Sequence, residues 1–244
     1  MHGLGSSQNY YLPVALELIK HGFRCITFDN TGAARSTHYP EERHDIDSLS
    51  HDIIGILDRL DVKNAVVIGH SMGGIVAANL AATRSDIFEA SIWIGPVYPS
   101  ANAASIFEKR VEAVNKEGME AMANTIPYAA VAAKAPGIVR AMIRELLLGQ
   151  SVEGYTSNCK VIANAKVPEY AKISTPVLLI AGDEDESAPM EGVKKMFAET
   201  GTEEGRKKLI VLEGVGHWHC IEAPEAVAKH IIMFYNYVIV DGKH

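Results

Sequence analysis

Short apolar runs alternate with longer amphipathic stretches along this chain. The runs are residues 25–28, 65–68, 91–94, 177–181 and 209–212. Runs of this length are typical of parallel strands that are buried on both faces. The stretches 12–21 and 48–60 carry apolar residues at helical spacing, so that Leu49, Ile53 and Leu57 share one face. The pattern predicts an α/β fold in which helices flank a mostly parallel sheet.

The alternation stops between Ile94 and Val177. That segment is rich in Ala, Met, Glu and Lys, and its apolar residues follow a helical period with little strand signal. Several prolines divide it, since proline breaks helix interiors. We therefore predict a helical cap over residues 98–172, inserted into a core formed by residues 1–97 and 173–244.

Composition narrows the classes of partner. The chain has 244 residues, 48% of them hydrophobic, and a net charge of -7, which fits a globular protein without the basic surface that binds nucleic acid. We find no signal-peptide pattern and no apolar stretch of the roughly 20 residues that cross a bilayer. Three cysteines without a CxxC pair indicate a reducing compartment. We expect a cytoplasmic protein that binds neither nucleic acid nor membranes.

The strongest chemical signal is the sequence Gly69-His70-Ser71-Met72-Gly73. It follows an apolar run and opens a predicted helix, which is the context of a nucleophile elbow. Glycines at the flanking positions allow the strained turn that projects the serine hydroxyl. Ser71 is therefore the predicted nucleophile, and the Met72 amide at the helix N-terminus is a predicted oxyanion donor. We expect His70 to pack beside the nucleophile with its side chain turned away from Ser71.

A serine nucleophile requires a base and a residue that orients the base. The loop after the run 177–181 carries several carboxylates, of which we prefer Asp185 to Asp183 and Glu186. Asp183 lies nearer the strand end, where it would anchor the turn. An acidic surface loop without catalytic function is the alternative interpretation.

The glycine-rich loop after the run 209–212 contains His217, the expected base, and His219, its rival. The two histidines also form a His-x-His sequence, which binds metal ions in some hydrolases. No further metal ligands are evident nearby in the sequence. We therefore predict neither a metal nor a cofactor. Near the N-terminus, the turn His2-Gly3-Leu4-Gly5 would supply a second oxyanion donor from the Leu4 amide; the alternative is a frayed terminus.

Together these motifs resemble the α/β-hydrolase superfamily along nearly the whole chain. The matching segments are His2-Gly3, residues 29–36, 69–74 and 182–189, and Gly216-His217 followed by residues 222–225. The resemblance implies a hydrolase core with a helical cap and a triad of Ser71, Asp185 and His217. A serine at the elbow argues against haloalkane dehalogenase or epoxide hydrolase chemistry, which uses an aspartate there.

The cap resembles that of 3-oxoadipate enol-lactone hydrolases at residues 110–113, 117–119 and 154–155 and at Cys159. This narrower resemblance implies a small lactone or ester substrate that carries a carboxylate. Arg110 or Arg144 would then provide the counter-charge.

The chain departs from the family pattern in two places. Ala34 replaces a glycine that is common in the loop after the first apolar run. The strands that normally precede the His-Gly turn are absent, including one expected between residues 25–28 and 65–68. Because a missing interior strand would expose two sheet edges, we expect either a truncated form of a longer protein or an incomplete gene model. Instability of this form stays open at the level of sequence.

Three rival functions stay open at the level of sequence. A small-molecule receptor with the same triad would bind a ligand tightly with negligible turnover. An inactive truncated hydrolase would unfold without cooperativity. The same triad also supports C–C bond hydrolysis or cofactor-free peroxidation.

Overall fold

A four-stranded parallel sheet lies at the centre of the computed structural model, which describes residues 1–240. The strands are β1 (Ala65–His70), β2 (Phe88–Ile94), β3 (Val177–Gly182) and β4 (Lys207–Leu212), and they lie side by side in that order. All three neighbouring pairs are parallel. The predicted α/β architecture with a mostly parallel sheet is confirmed.

Helices flank this sheet, and four of them lie between β2 and β3 in the chain. Those of the first half are α1 (Leu12–Lys20), α2 (Ile46–Arg59) and α3 (Met72–Thr83). After β2 come α4 (Ala101–Glu117), α5 (Met119–Ala129), α6 (Gly137–Leu148) and α7 (Val152–Ala163). The last are α8 (Met190–Glu199), α9 (His219–Glu222) and α10 (Pro224–Phe234). Within residues 1–240, none of the helices combines the length and the apolar character that a bilayer span requires.

Burial on both faces explains why the central strands are largely apolar. Every residue of β3 is buried, and Trp93 in β2 has no exposed surface. Helix α3 packs on β1 and β2, and its own residues are almost all buried. The carboxyl ends of the four strands therefore meet at one edge of a rigid layer, where loops can carry functional side chains.

The four helices between β2 and β3 pair with one another. Helix α4 packs along α7, and α5 packs along α6. This region has buried apolar side chains of its own, among them Phe107, Val114, Ile143 and Leu147. It lies in the chain where the sequence predicts a cap, and the exact limits of that unit stay a prediction.

The prediction of a strand at residues 25–28 is wrong. The segment forms no ladder, because no strand of the described chain lies beside it, and a cavity of about 470 Å³ separates it from β1. Apolar side chains such as Phe28, Val66 and Ile68 line this cavity. Among residues 1–240, Met1 alone pairs with that edge of β1: its amino group donates to the Ile68 carbonyl, and its own carbonyl accepts from the His70 amide.

Candidate active site

Ser71 occupies a strained turn between β1 and α3. Its φ is 55° and its ψ is -115°, a conformation that side-chain-bearing residues rarely adopt. The turn depends on two glycines. A Cβ on Gly69 would lie 2.0 Å from the Gly73 carbonyl oxygen, and one on Gly73 would lie 2.4 Å from the Met1 carbonyl oxygen. Only glycine permits these approaches.

A chain of hydrogen bonds connects Ser71, His217 and Asp185. The Ser71 Oγ lies 2.9 Å from His217 Nε2. On the other side of the ring, His217 Nδ1 lies 2.8 Å from Asp185 Oδ2 and 3.0 Å from Oδ1. All three residues are buried. The structure thus brings together the three side chains that the sequence singled out, from the loops after β1, β3 and β4.

The environment of Asp185 favours its ionised form. Its Oδ1 accepts hydrogen bonds from the amides of Ser187 and Ala188, both at 2.9 Å. Burial raises the pKa of Asp185, but attraction and hydrogen bonding to His217 outweigh it and hold the pKa well below its ordinary range. A carboxylate in this state fixes the Nδ1–H tautomer of His217 and leaves Nε2 free to accept a proton from Ser71.

The alternative acidic residues have other positions. Asp183 Oδ1 accepts from the amides of Gly214 at 2.7 Å and Val215 at 3.4 Å, so it ties the β3 loop to the β4 loop. Glu186 is exposed. Neither residue is hydrogen-bonded to His217 within residues 1–240.

The two neighbouring histidines bind the backbone of His217. His70 Nε2 lies 2.8 Å from the His217 carbonyl oxygen, and His219 Nδ1 lies 2.9 Å from the same atom. Neither ring is hydrogen-bonded to Ser71. Burial lowers the pKa of His219 to about 4 and that of His70 well below its usual value. Burial therefore favours the neutral form of both rings.

The N-terminal turn packs directly on the elbow. A Cβ on Gly3 would lie 2.8 Å from Ser71 Cβ, and Leu4 is half-buried beside it. Asn30 holds the turn: its amide donates to His2 Nε2 at 3.1 Å and its side chain donates to the His2 carbonyl at 2.8 Å. No acceptor within residues 1–240 takes the Leu4 or Met72 amide, so neither N–H is used by the described part of the chain.

Glu222 has a role that the sequence did not reveal. Its Oε2 accepts from Gly216 at 3.0 Å and from Ala132 at 2.8 Å, while Oε1 accepts from Trp218 at 2.8 Å. The carboxylate therefore fixes the peptide groups on both sides of His217 and joins them to the segment after α5. In the sequence, the only indication of this role was that Glu222 begins the matching segment 222–225, and that match does not show which groups Glu222 contacts.

The segment after α5 reaches the histidine loop. The Ala130 carbonyl accepts from the His217 amide at 2.9 Å. Arg140 braces this segment by donating to the carbonyls of Pro127, Ala132 and Ala133. Within the described part of the chain, no three His, Cys, Asp or Glu side chains are grouped to hold a metal ion.

Comparisons with known proteins show what this chain is similar to. Residues 1–224 match the family described as "Serine aminopeptidase, S33". The chain is 33% identical over 165 residues to 3-oxoadipate enol-lactonase 2 of Acinetobacter baylyi, an alignment that covers 66% of this chain and 61% of the enol-lactonase. The chain thus spans less than two thirds of that relative's length.

Solved structures share the fold along almost the whole chain. The enol-lactonase from Burkholderia xenovorans LB400 superposes with a TM-score of 0.85 at 26% identity, covering 96% of this chain and 89% of that one. The malate-bound thermophilic esterase from Thermogutta terrifontis has a TM-score of 0.85 at 23% identity and covers 97% and 88% of the two chains. The latter likeness concerns the fold alone.

The buried neutral histidines predict that acid destabilises the fold. The pKa values of His2 and His219 are lowered by burial to about 4, whereas in the unfolded chain a histidine titrates near 6.5. The unfolded state therefore binds protons first as the pH falls. Each such histidine removes up to about 1.4 kcal/mol of stability per pH unit between about pH 6.5 and pH 4.

Urea unfolding at pH 7, 6 and 5 measures this loss. The variant His219→Asn removes one titrating ring, so its free energy of unfolding should depend less steeply on pH than that of the wild type. Equal slopes for the two proteins would show that His219 does not contribute as a neutral buried group.

Proposed function

Because the chain belongs to the α/β-hydrolase family described as "Serine aminopeptidase, S33", we propose that it cleaves a small carboxylic ester or lactone through a serine acyl-enzyme. The observation that carries the proposal is the continuous hydrogen-bond path from Asp185 through His217 to Ser71. This path gives the serine a base within proton-transfer distance and gives the base a fixed tautomer.

The first chemical step is attack by Ser71 on the substrate carbonyl. His217 Nε2 takes the Oγ proton as the new C–O bond forms, and the carbonyl π electrons move onto oxygen. Collapse of this tetrahedral species expels the alkoxide, which takes the proton from His217. Water then repeats the sequence on the acyl-enzyme and releases the carboxylic acid and free Ser71.

The amides of Leu4 and Met72 are the proposed oxyanion donors. Met72 is the first residue of α3, where unpaired N–H groups and the helix dipole favour negative charge. Leu4 follows Gly3, whose close approach to Ser71 leaves no room for a side chain. Each donor aimed at a developing oxyanion is worth about 2.7–4 kcal/mol of barrier.

Arg110 on α4 is the proposed counter-charge for a substrate carboxylate. It is half-buried near Tyr155, whose ring would meet a Cβ on Gly5 at 3.1 Å, so this part of the cap adjoins the oxyanion turn. No carboxylate within residues 1–240 forms an ion pair with Arg110. Arg144 lies 3.6 Å from the Glu145 carboxylate and is partly compensated already. The similarity to enol-lactonases supports a lactone of this charge.

Removal of the nucleophile tests the proposal directly. Ser71→Ala should reduce p-nitrophenyl acetate hydrolysis at least about 10⁴-fold and abolish fluorophosphonate labelling, while its thermal unfolding stays cooperative. Ser85→Ala, at an exposed serine, is the matched control and should behave as wild type. A cooperatively folded wild type with neither activity nor labelling would refute the hydrolase assignment in favour of a receptor.

Variants of the two aspartates in the β3 loop distinguish the residue that orients His217 from the residue that anchors the β4 loop. Asp185→Asn should lower kcat about 10⁴-fold, because the amide stabilises the wrong tautomer of His217. Asp183→Asn keeps an acceptor oxygen for Gly214 and Val215, so it should retain nearly full activity. Measurement of kcat for both variants tests this assignment. A larger loss of kcat in Asp183→Asn than in Asp185→Asn would make Asp183 the residue that orients His217.

The charge of Arg110 predicts a specific change in substrate selection. Arg110→Leu should raise KM for a carboxylate-bearing lactone about tenfold or more, since a charge-assisted contact is worth about 1.5–3 kcal/mol. KM for neutral p-nitrophenyl acetate should stay unchanged. Arg144→Leu is the comparison variant. If KM for the carboxylate-bearing lactone rises in Arg144→Leu alone, the counter-charge is Arg144 on α6 instead of Arg110.

A further inference from the structure

The carbonyl oxygen of His217 receives two hydrogen bonds from imidazoles. His70 Nε2 approaches it at 2.8 Å and His219 Nδ1 at 2.9 Å. A carbonyl oxygen can only accept, so both ring nitrogens carry hydrogen. Each neutral imidazole has one N–H, and each ring uses it on this atom.

The second nitrogen of each ring is buried without a hydrogen-bond partner in the described chain. His70 Nδ1 faces the backbone of Gly3, and His219 Nε2 lies 4.0 Å from Asp185 Oδ2. Tyr10 stacks on His70 with 4.3 Å between ring centroids. Within the described chain, each ring is therefore held by packing and by a single side-chain hydrogen bond, the one to His217.

The two donors come from opposite edges of the sheet. His70 ends β1, whereas His219 begins the short helix that follows β4. Three strand spacings separate β1 from β4, which is roughly 14 Å. A shared acceptor on His217 therefore connects the loop of the nucleophile with the loop of the base.

The geometry points to His70 and His219 as positioning residues that hold the His217 carbonyl and thereby keep Nε2 on the Ser71 hydroxyl. The Ala130 carbonyl fixes the other end of the same residue through the His217 amide. This inference rests on the proposed hydrolase function. Misplacement of a catalytic group by about 1 Å costs up to about 100-fold in rate, so loss of a donor should reduce kcat rather than substrate binding.

Paired variants separate the N–H donor from the bulk of the ring. His219→Asn places an amide nitrogen where Nδ1 lies, and His219→Leu fills the space without a donor. At the other ring, His70→Gln and His70→Leu form the corresponding pair, since the glutamine amide reaches the Nε2 position. All four are compared with the wild type in kcat, KM and thermal unfolding.

The Leu variants should lose about 10- to 100-fold in kcat with unchanged KM, and the amide variants should regain most of that rate. Leu variants as fast as wild type would overturn the inference. Stable amide variants that are as slow as the Leu variants would also overturn it, because the ring and not its N–H would then matter. If the Leu variants do not fold, His219→Gln, with its amide beyond the Nδ1 position, replaces them and should be slower than His219→Asn.

Proton NMR separates this inference from the proposed function. The short contact between His217 Nδ1 and Asp185 Oδ2 predicts a low-field resonance for the Nδ1 proton, whether or not an ester is hydrolysed. Positioning by the carbonyl contact predicts that this resonance persists in the amide variants and is lost or broadened in the Leu variants. A wild type that shows the resonance but no esterase activity would refute the hydrolase and leave the NMR comparison to decide the contact.

Discussion

The backbone of Ser71 is the constraint on which the site depends. A residue with a side chain at φ 55° and ψ -115° stores about 1–3 kcal/mol of strain and persists only when its surroundings enforce it. Here the Ser71 amide donates to the Ile94 carbonyl at 3.0 Å, and the Gly74 amide donates back to Ser71 at 2.9 Å. Met1 pairs with the last residues of β1 at the same point. The strained turn is thus locked by the end of β2, the start of α3 and the N-terminal segment.

Once the serine is fixed, the parallel sheet brings its partners to it. The loops after β3 and β4 leave the same edge, and side chains within them hold each other in place. Asp183 binds amides of the β4 loop, and Glu222 binds amides on both sides of His217. These carboxylates accept from backbone N–H groups that would otherwise be poorly satisfied. The position of His217 is therefore set by the backbone of its loop as much as by its contact with Asp185.

The sequence predicted the features that depend on local pattern. Apolar runs located all four strands, and the glycines around Ser71 located the strained turn, because steric exclusion of a Cβ is a local property. The segment 25–28 failed for the opposite reason: a strand needs a partner, and pattern alone does not supply one. The contacts of Glu222 and His70 were also beyond reach, since they join backbone groups across distant loops. The choice between Asp183 and Asp185 rested on loop geometry that spacing cannot define.

The neutrality of the flanking histidines is compatible with the proposed role of His217 as a base. In the proposed mechanism His217 becomes a cation in each proton transfer, beside the ionised Asp185. A second positive charge on His70, whose ring centroid lies 4.8 Å from that of His217, would oppose this by on the order of 3 kcal/mol at an effective dielectric constant of 20. Burial lowers the pKa of both flanking rings and so keeps them as neutral donors. Burial of His70 and His219 therefore has two consequences. It makes the fold less stable in acid, and it allows both rings to donate to the His217 carbonyl without placing a second positive charge beside His217.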